Sequence, residues 1–136
     1  MPHDQLNHAM LEIPRVLIVD DERHVTSLLR YKLESAGIAV HTANDGRAGF
    51  ESALACIPDL VVVDFHMPYM NGIELARAMH GHPTTAETPV VVITAHAHCL
   101  RDEDLVDTNV CELLPKPFSP KDLLKTIHEI LNTETV

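Results

Sequence analysis

The sequence predicts an α/β fold, a three-layer sandwich with helices on both faces of a five-stranded parallel sheet. Five short runs rich in Val and Ile, at residues 15–19, 38–43, 60–63, 89–93 and 110–114, alternate with longer stretches of helical period. Most of these runs are continuously apolar, which is typical of strands buried on both faces of a parallel sheet. Parallel strands require right-handed crossovers, so helices lie on both faces.

Length and composition predict one globular domain. The chain has 136 residues, of which 46% are hydrophobic and 22% charged, a balance typical of folded chains of this size. We expect the domain to span residues 14–132, between a flexible polar leader at 1–13 and a short tail at 133–136. A net charge of -10 predicts no direct contact with nucleic acid or membranes.

The first helix is predicted by a single apolar stripe that closes at Gly37, the glycine expected just after a helix end. The stripe comprises Val25, Leu28, Leu29, Leu33 and Ala36. The run at 38–43, which follows, is more polar than the other four. It is therefore predicted to be an edge strand.

A second and a third helix carry shorter stripes. The second is expected to end before Pro58, and the third near Gly81 and Pro83, because proline and glycine terminate helices. The stripes are Phe50, Leu54 and Ile57 in the second helix and Ile73, Ala76 and Met79 in the third.

The last helix has the clearest start, because Ser119 suits the N-cap, Pro120 the first position and Asp122 the first turn. Its stripe consists of Leu123, Leu124, Ile127, Ile130 and Leu131. A fourth helix is predicted before it, around residues 98–108. That segment carries four acidic residues and few apolar ones, so we expect it to be the most mobile element.

Polar residues stand where four of the predicted strands end. Asp20 and Asp21 follow the first strand, Asp64 the third and Thr94 the fourth, and Lys116 comes shortly after the fifth. The carboxyl ends of parallel strands meet at one edge of the sheet, where ligands bind in open α/β folds. One crevice is therefore predicted to hold three carboxylates, a hydroxyl and an ammonium group.

This set of groups suits phosphoryl chemistry. Three close carboxylates repel one another, and Mg²⁺ relieves that repulsion because it prefers oxygen ligands. Asp64 could then act as a nucleophile towards phosphorus, while Thr94 and Lys116 share the charge of the phosphoryl oxygens. Each residue alone is ordinary, but five together at four strand ends argue against coincidence.

Four segments carry a family resemblance: VLIVDDE at 16–22, DLVVVDFHMPYMNGIEL at 59–75, VVVITA at 90–95 and LLPKPF at 113–118. Together they resemble the receiver domain of two-component response regulators, over nearly the whole chain. The resemblance, and not the pattern of apolar runs, implies the flavodoxin-like strand order 2-1-3-4-5 of the chemotaxis regulators.

The resemblance also implies roles for the residues in the crevice. Asp64 would be the phosphoacceptor and Asp21 a direct Mg²⁺ ligand, while Asp20 would reach the metal mainly through water. The backbone carbonyl of His66 would complete the protein ligands. Asp64 itself would also contact the metal.

In the same way, Thr94 and Lys116 would bond the phosphoryl group, and the Lys116–Pro117 peptide bond would be cis. Three further residues match the family's turn after the acceptor strand: Met67, Pro68 and Gly72. The family often has Tyr or Phe three residues before the lysine, but this chain has Leu113. Because the usual aromatic readout is missing, we expect a relay or adaptor role rather than dimerisation on phosphorylation.

The function implied is a switch and not an enzyme, because it phosphorylates and dephosphorylates itself without a separate turnover substrate. A sensor histidine kinase or a histidine phosphotransfer protein would donate the phosphoryl group. A downstream protein target would read it through contacts, or the group would pass onward in a relay. The three cysteines lack CxxC spacing, so we expect reduced thiols and a cytoplasmic location.

The histidines leave two interpretations open. His66 and His96 each lie two residues beyond a predicted site residue and should project near the mouth of the crevice. In the family these positions tune the lifetime of the phosphoryl group, but a solvated role is equally compatible with the sequence. The HGH and HAH motifs at 80–82 and 96–98 suggest zinc, although no further ligand completes a site at recognised spacing.

Two other functions compete with the switch. An aspartate-based, Mg²⁺-dependent phosphohydrolase places a second Asp two residues after a nucleophile on its first strand, whereas this chain has His66 after Asp64 on the third. A flavodoxin-like cofactor carrier needs a phosphate loop rich in Gly, Ser and Thr. Residues 20–22 read Asp-Asp-Glu instead, which would repel a phosphate in the absence of a metal.

Overall fold

A computed structural model describes residues 13–132. The predicted leader and tail, at 1–13 and 133–136, lie outside the described residues except for Ile13. The elements in chain order are β1 Arg15–Val19, α1 Arg23–Ser35, β2 Ala39–Ala43, α2 Gly46–Cys56, β3 Leu60–Asp64, α3 Gly72–His80, β4 Val90–Thr94, β5 Val110–Pro115 and α4 Pro120–Leu131.

The five strands form one parallel sheet in the order β2-β1-β3-β4-β5. This confirms the predicted fold class, the implied strand order and the edge position of β2. In the register of the sheet Asp64 stands beside Ile93, and Thr94 beside Pro115. The polar ends of β3 and β4 therefore emerge at the same edge.

Two apolar cores, one on each face, hold the sheet between its helices. On one face Leu17 and Val61 pack with Leu75 of α3, and on the other Ile18 packs with Leu123 of α4. All five residues of β3 and all five of β4 are buried. The continuously apolar runs are thus strands covered on both faces, as predicted.

Helix ends follow local chemistry. Gly37, just past α1, has a φ of +88°, a left-handed conformation that glycine adopts without strain. α3 and α4 each begin with a capping box, formed by Asn71 with Glu74 and by Ser119 with Asp122. The predicted start of the last helix is therefore confirmed.

Within residues 13–132, no helix combines the length and apolar character needed to cross a membrane.

The predicted second helix is present and ends at Cys56, before Pro58, but its most buried positions differ from the predicted stripe. Phe50 is only half-buried and Ile57 is 57% exposed, whereas Gly49 and Ala53 face the sheet. The reason is close packing, because a Cβ atom added at Gly49 would lie 2.9 Å from Cγ2 of Val19. A helix this close to the sheet accommodates only small residues along its line of contact.

The predicted fourth helix over residues 98–108 is also corrected. The structure has two short 3₁₀ turns there, at Ala97–Cys99 and Asp102–Leu105, and no α-helix. The segment has too few apolar side chains to form a stripe that the sheet could bury, and packing of such a stripe stabilises most short helices.

Polar contacts from α3 anchor this segment. The guanidinium of Arg77 donates hydrogen bonds to the backbone carbonyl oxygens of Asp104 and Val106, at 3.0 and 3.5 Å. The Nδ1 atom of His80 lies 2.9 Å from Oδ1 of Asn109. These polar contacts add to the partial packing of Leu100 and Leu105 against the apolar core.

Candidate functional site

Three carboxylates meet at the carboxyl edge of β1 and β3. Asp20 and Asp21 follow β1, Asp64 is the last residue of β3, and one oxygen from each lies within 4.8 Å of the others. The side chains of Asp20 and Asp64 are buried, whereas Asp21 is exposed. The cluster is therefore open to solvent on the side of Asp21.

The charge of this cluster is costly without a cation. Burial is the main reason why the pKa of Asp20 is raised to about 6. The backbone N–H of Glu22 donates a hydrogen bond to Oδ1 of Asp20 at 2.9 Å, and this bond partly offsets the rise in pKa. The nearby carboxylate of Asp64 raises the pKa of Asp20 further. Three oxygen donors so close together, with one disfavoured as an anion, fit a hard divalent cation such as Mg²⁺.

The ammonium group of Lys116 pairs with Asp64. Its Nζ lies 2.6 Å from Oδ1 of Asp64, a buried atom that accepts no other hydrogen bond from residues 13–132. Burial disfavours the charged ammonium, but the contact with Asp64 and the charge of Asp20 outweigh burial and raise the pKa of Lys116. The Lys116–Pro117 bond is cis, as the resemblance implies.

Thr94 completes the polar side of the crevice. Its side chain is buried, and its Oγ1 accepts a hydrogen bond from the backbone N–H of His96 at 3.0 Å. The hydroxyl donates to none of the described residues, so its proton can be donated to an oxygen in the crevice. The backbone N–H of Lys116 donates to the Thr94 carbonyl at 3.0 Å, which joins the two sides of the site.

The loop after β3 packs tightly beneath the acceptor strand. A Cβ atom added at Gly72 would lie 2.9 Å from the carbonyl oxygen of Asp64 and 3.2 Å from Cγ1 of Val63. The backbone N–H of Gly72 donates to the carbonyl of Phe65 at 3.1 Å. Only glycine allows this approach, so Gly72 helps to fix the position of Asp64.

His66 and His96 are both exposed, and their ring centroids are 5.7 Å apart. The two loops that leave β3 and β4 thus bring the two rings together. Phe65 packs edge-on against His66, with ring centroids 4.8 Å apart.

An apolar cleft beside the crevice was missed by the sequence reasoning. It has a volume of about 590 Å³ and lies between α1 and the start of α4, with Val25, Leu28 and Phe118 among its walls and Asp20 and Lys116 at its polar end. A signal was present, because the stripe of α1 is wide. Leu28 belongs to that stripe, but it is 52% exposed.

Comparison with known proteins identifies the family. Residues 16–128 match the family model described as the response regulator receiver domain. Response regulator MprA of Mycolicibacterium vanbaalenii is 34% identical over 121 residues, which cover 89% of this chain and 52% of MprA. The phosphate regulon regulator PhoB of Rhizobium meliloti is 30% identical over 119 residues, covering 88% and 52% of the two chains. This chain spans about half the length of these relatives.

Solved structures agree with the fold. The chemotaxis protein CheY4 of Vibrio cholerae has a TM-score of 0.81 and 29% identity, with 88% of this chain and 99% of CheY4 covered. The receiver domain of the histidine kinase PA1611 from Pseudomonas aeruginosa, solved with magnesium in its active-site cleft, has a TM-score of 0.79. It is 21% identical, covers 90% of this chain and 100% of its own, and supports the fold alone.

The predicted absence of nucleic-acid contact finds no support among the relatives. One of them is the DNA-binding transcriptional regulator RpaA of Synechocystis, which is 30% identical over 88% of this chain and 49% of RpaA.

The family assignment rests on two findings: the family model matches most of the chain, and the sheet has the expected strand order. This protein belongs to the response regulator receiver family.

Proposed function

We propose that the chain is a phosphoryl-accepting switch in which Asp64 receives the group from a phosphohistidine. The donor would be a sensor histidine kinase or a histidine phosphotransfer protein. One observation carries the proposal: Asp64 is at once part of the three-carboxylate cluster and 2.6 Å from the Lys116 ammonium. A nucleophile between a cation site and a fixed positive charge suits the transfer of a phosphoryl group.

The reaction follows from these positions. An oxygen of Asp64 attacks phosphorus, the P–N bond of the donor breaks, and its electron pair returns to the donor imidazole. The product is an acyl phosphate on Asp64. Lys116 would move its hydrogen bond from Oδ1 of Asp64 to a phosphoryl oxygen, and the Thr94 hydroxyl would donate to another.

Asp20, Asp21 and Asp64, with the backbone carbonyl of His66, would hold Mg²⁺. The bound ion would neutralise the carboxylates and part of the charge on the phosphoryl oxygens. The three carboxylate oxygens within 4.8 Å of one another support this choice of metal. Before the ion binds, Lys116 is the one cation within residues 13–132 that pairs with Asp64.

The proposed switch has no separate turnover substrate and acts through protein contacts or by passing the phosphoryl group onward. Self-dephosphorylation would reset it. We further propose a cytoplasmic location, where a kinase of the two-component type would meet it. Because the chain spans about half of its curated relatives, the output of any full-length protein is a matter for experiment.

The test is labelling by acetyl phosphate with Mg²⁺, followed by mass spectrometry of the intact chain. We expect one phosphoryl group per molecule, none in EDTA, and none in Asp64→Asn with its fold intact by circular dichroism. Asp107→Asn, a change at an exposed acidic residue, is the matched control and should label normally. Full labelling of Asp64→Asn would refute the assignment, and sustained turnover of a generic phosphomonoester would favour the phosphohydrolase.

A further inference from the structure

Tyr69 lies at the centre of a tight turn in the loop after β3. The backbone N–H of Met70 donates to the carbonyl oxygen of Pro68 at 2.8 Å, and Tyr69 between them has a φ of +71°. A three-residue turn with a positive φ at its centre is rare and strained, more so for a bulky side chain than for glycine. The fold therefore holds an aromatic residue where glycine would be less strained.

Neighbouring residues fix this turn from both sides. Met70 packs so closely against the start of α2 that a Cβ atom added at Gly46 would lie 2.8 Å from the Met70 side chain. The backbone N–H of Gly72 donates to the carbonyl of Phe65 at 3.1 Å and closes the loop. The backbone of Tyr69 is thus held in position by contacts that its own side chain does not make.

The side chain of Tyr69 makes no contact that would offset the strain. It is fully exposed, and within residues 13–132 its ring and hydroxyl have no hydrogen-bond or ring partner. Tyrosine is enriched among the residues that dominate binding energy in protein interfaces, because its large ring loses little conformational entropy on contact. Strained residues of this kind are typical of functional surfaces, so the role of Tyr69 is sought in a partner.

The position of Tyr69 favours the phosphohistidine donor as that partner. A Cβ atom added at Gly72 would lie 2.9 Å from the Asp64 carbonyl oxygen, and three residues of chain span at most about 11 Å. The backbone of Tyr69 therefore lies within roughly 15 Å of Asp64. An interface of ordinary size covers about 800 Å² of each protein, a disc of about 16 Å radius. A donor whose histidine reaches Asp64 would therefore also cover Tyr69.

We propose that Tyr69 is a specificity-determining residue for the protein that donates the phosphoryl group. Its ring would enter an apolar pocket beside the donor histidine, and donors without that pocket would transfer poorly to Asp64. This inference rests on the proposed function. A small donor such as acetyl phosphate needs only the crevice, so Tyr69 should affect transfer from a protein and leave labelling by a small molecule unchanged.

The test compares a protein donor with a small one. The histidine kinases encoded in the same genome are autophosphorylated with ATP, and the kinase that transfers fastest to the parent chain is the probe. Tyr69→Gly should lower kcat/KM for this transfer by at least about fivefold, mainly through KM, the size of effect typical of an important interface residue. Tyr69→Phe keeps the ring and should behave like the parent. Acetyl phosphate with Mg²⁺ should label both variants at the parental rate.

Ile57→Gly is the matched control. Ile57 is also a large exposed residue with a left-handed backbone, at a φ of +47°, but it precedes β3 and so lies at the opposite edge of the sheet. Its replacement should change neither kinase transfer nor labelling by acetyl phosphate. Thermal unfolding should show that Tyr69→Gly is at least as stable as the parent, because glycine relieves the turn.

Transfer from the kinase to Tyr69→Gly at the parental rate would overturn the proposal. Equal losses with the kinase and with acetyl phosphate would also overturn it, because Tyr69 would then act on the chemistry and not on recognition. The same holds if acetyl phosphate labels the parent chain but no kinase does. A parent chain that neither donor labels would refute the proposed function itself, and the role of Tyr69 with it.

Discussion

The half of the sheet built on β1 and β3 is packed differently from the half built on β5. The side chains of β3 are all buried, as are the last four of β1, whereas β5 has no buried residue. The pairing of β4 with β5 shifts register between Val90 and Val91. The connection from β4 to β5 contains two 3₁₀ turns and no α-helix.

This difference separates two tasks within one site. The carboxylates project from the tightly packed half, so their geometry is fixed by the core. Lys116 follows the loosely packed strand, and its partner Asp64 lies across the crevice. If Asp64 accepts a phosphoryl group as proposed, the loosely packed half can adjust at a lower cost in free energy.

The same Leu→Ala substitution in the two halves of the sheet should give the largest expected difference in stability. Leu17 in β1 is fully buried and Leu113 in β5 is half-buried. Leu17→Ala should lower the free energy of unfolding by about 3 kcal/mol, and Leu113→Ala by about 1 kcal/mol, because a smaller cavity forms and solvent can fill it. Urea denaturation measures both. Equal losses would show that the two halves are packed alike.

Glycine substitutions test how tightly the acceptor strand is held. Gly72→Ala places a Cβ atom 2.9 Å from the Asp64 carbonyl oxygen, so we expect a loss of about 2 kcal/mol and slower labelling of Asp64. Gly81→Ala is the control, because its nearest contacts are 3.6 and 3.7 Å. Thermal unfolding and acetyl phosphate labelling of both variants check this. If Gly72→Ala unfolds and is labelled like the parent protein, the backbone around Gly72 must shift to make room for the Cβ atom.

The carboxylate cluster should make stability depend on pH in the absence of metal. The pKa of Asp20 is raised from 3.8 to about 6, so the folded chain holds this proton more tightly than the unfolded chain. Its contribution to stability is therefore greatest below pH 4 and declines as pH rises to 6.

Asp20→Asn should remove that decline and raise stability in EDTA at pH 7 by about 1–2 kcal/mol, less than the full pKa shift implies because solvent reaches the cluster. Chemical denaturation between pH 4 and 7 is the measurement, with Asp107→Asn as the exposed control. A variant that is no more stable than the parent at pH 7 would show that the buried carboxylate costs little.

The smallest expected effect concerns the output. Beryllofluoride on Asp64 stands in for the phosphoryl group, and Leu113 lacks the ring and hydroxyl that the family's common aromatic uses to switch. Amide chemical shifts should therefore change more over residues 95–108 than over 119–131. Equal changes in the two segments, or a stable dimer formed only in the activated state, would contradict a relay or adaptor role.

Local patterns predicted most of the fold. Each strand lies within one residue of its predicted bounds, and the Ser119 cap and the Gly37 helix end were visible because they depend on short-range chemistry. The strand-end residues were found because a parallel sheet places the ends of its strands at one edge.

The two errors were tertiary in origin. Periodicity ranked Phe50 above Gly49, but the distance between α2 and the sheet decides which side chains fit, and a sequence does not display that distance. The segment at 98–108 has some helical character, yet nothing in its own residues reports whether a neighbouring face will bury it. Likewise, the pairing of His66 with His96 joins two distant loops, which only the fold brings together.

The anchoring of the 97–108 segment bears on how this protein could diverge. Arg77 reaches the backbone carbonyls of Asp104 and Val106, and every amino acid offers the same carbonyl group. Mutations at these exposed positions can therefore alter charge and shape without removing the hydrogen bonds from Arg77, although a change at Asp104 also removes the hydrogen bond that its side chain accepts from the backbone N–H of Arg101. After a gene duplication, one copy could change the partner-binding surface of this segment while its carboxylate cluster, Thr94 and Lys116 stay the same. Mutations in this segment would then let the two copies bind different partners.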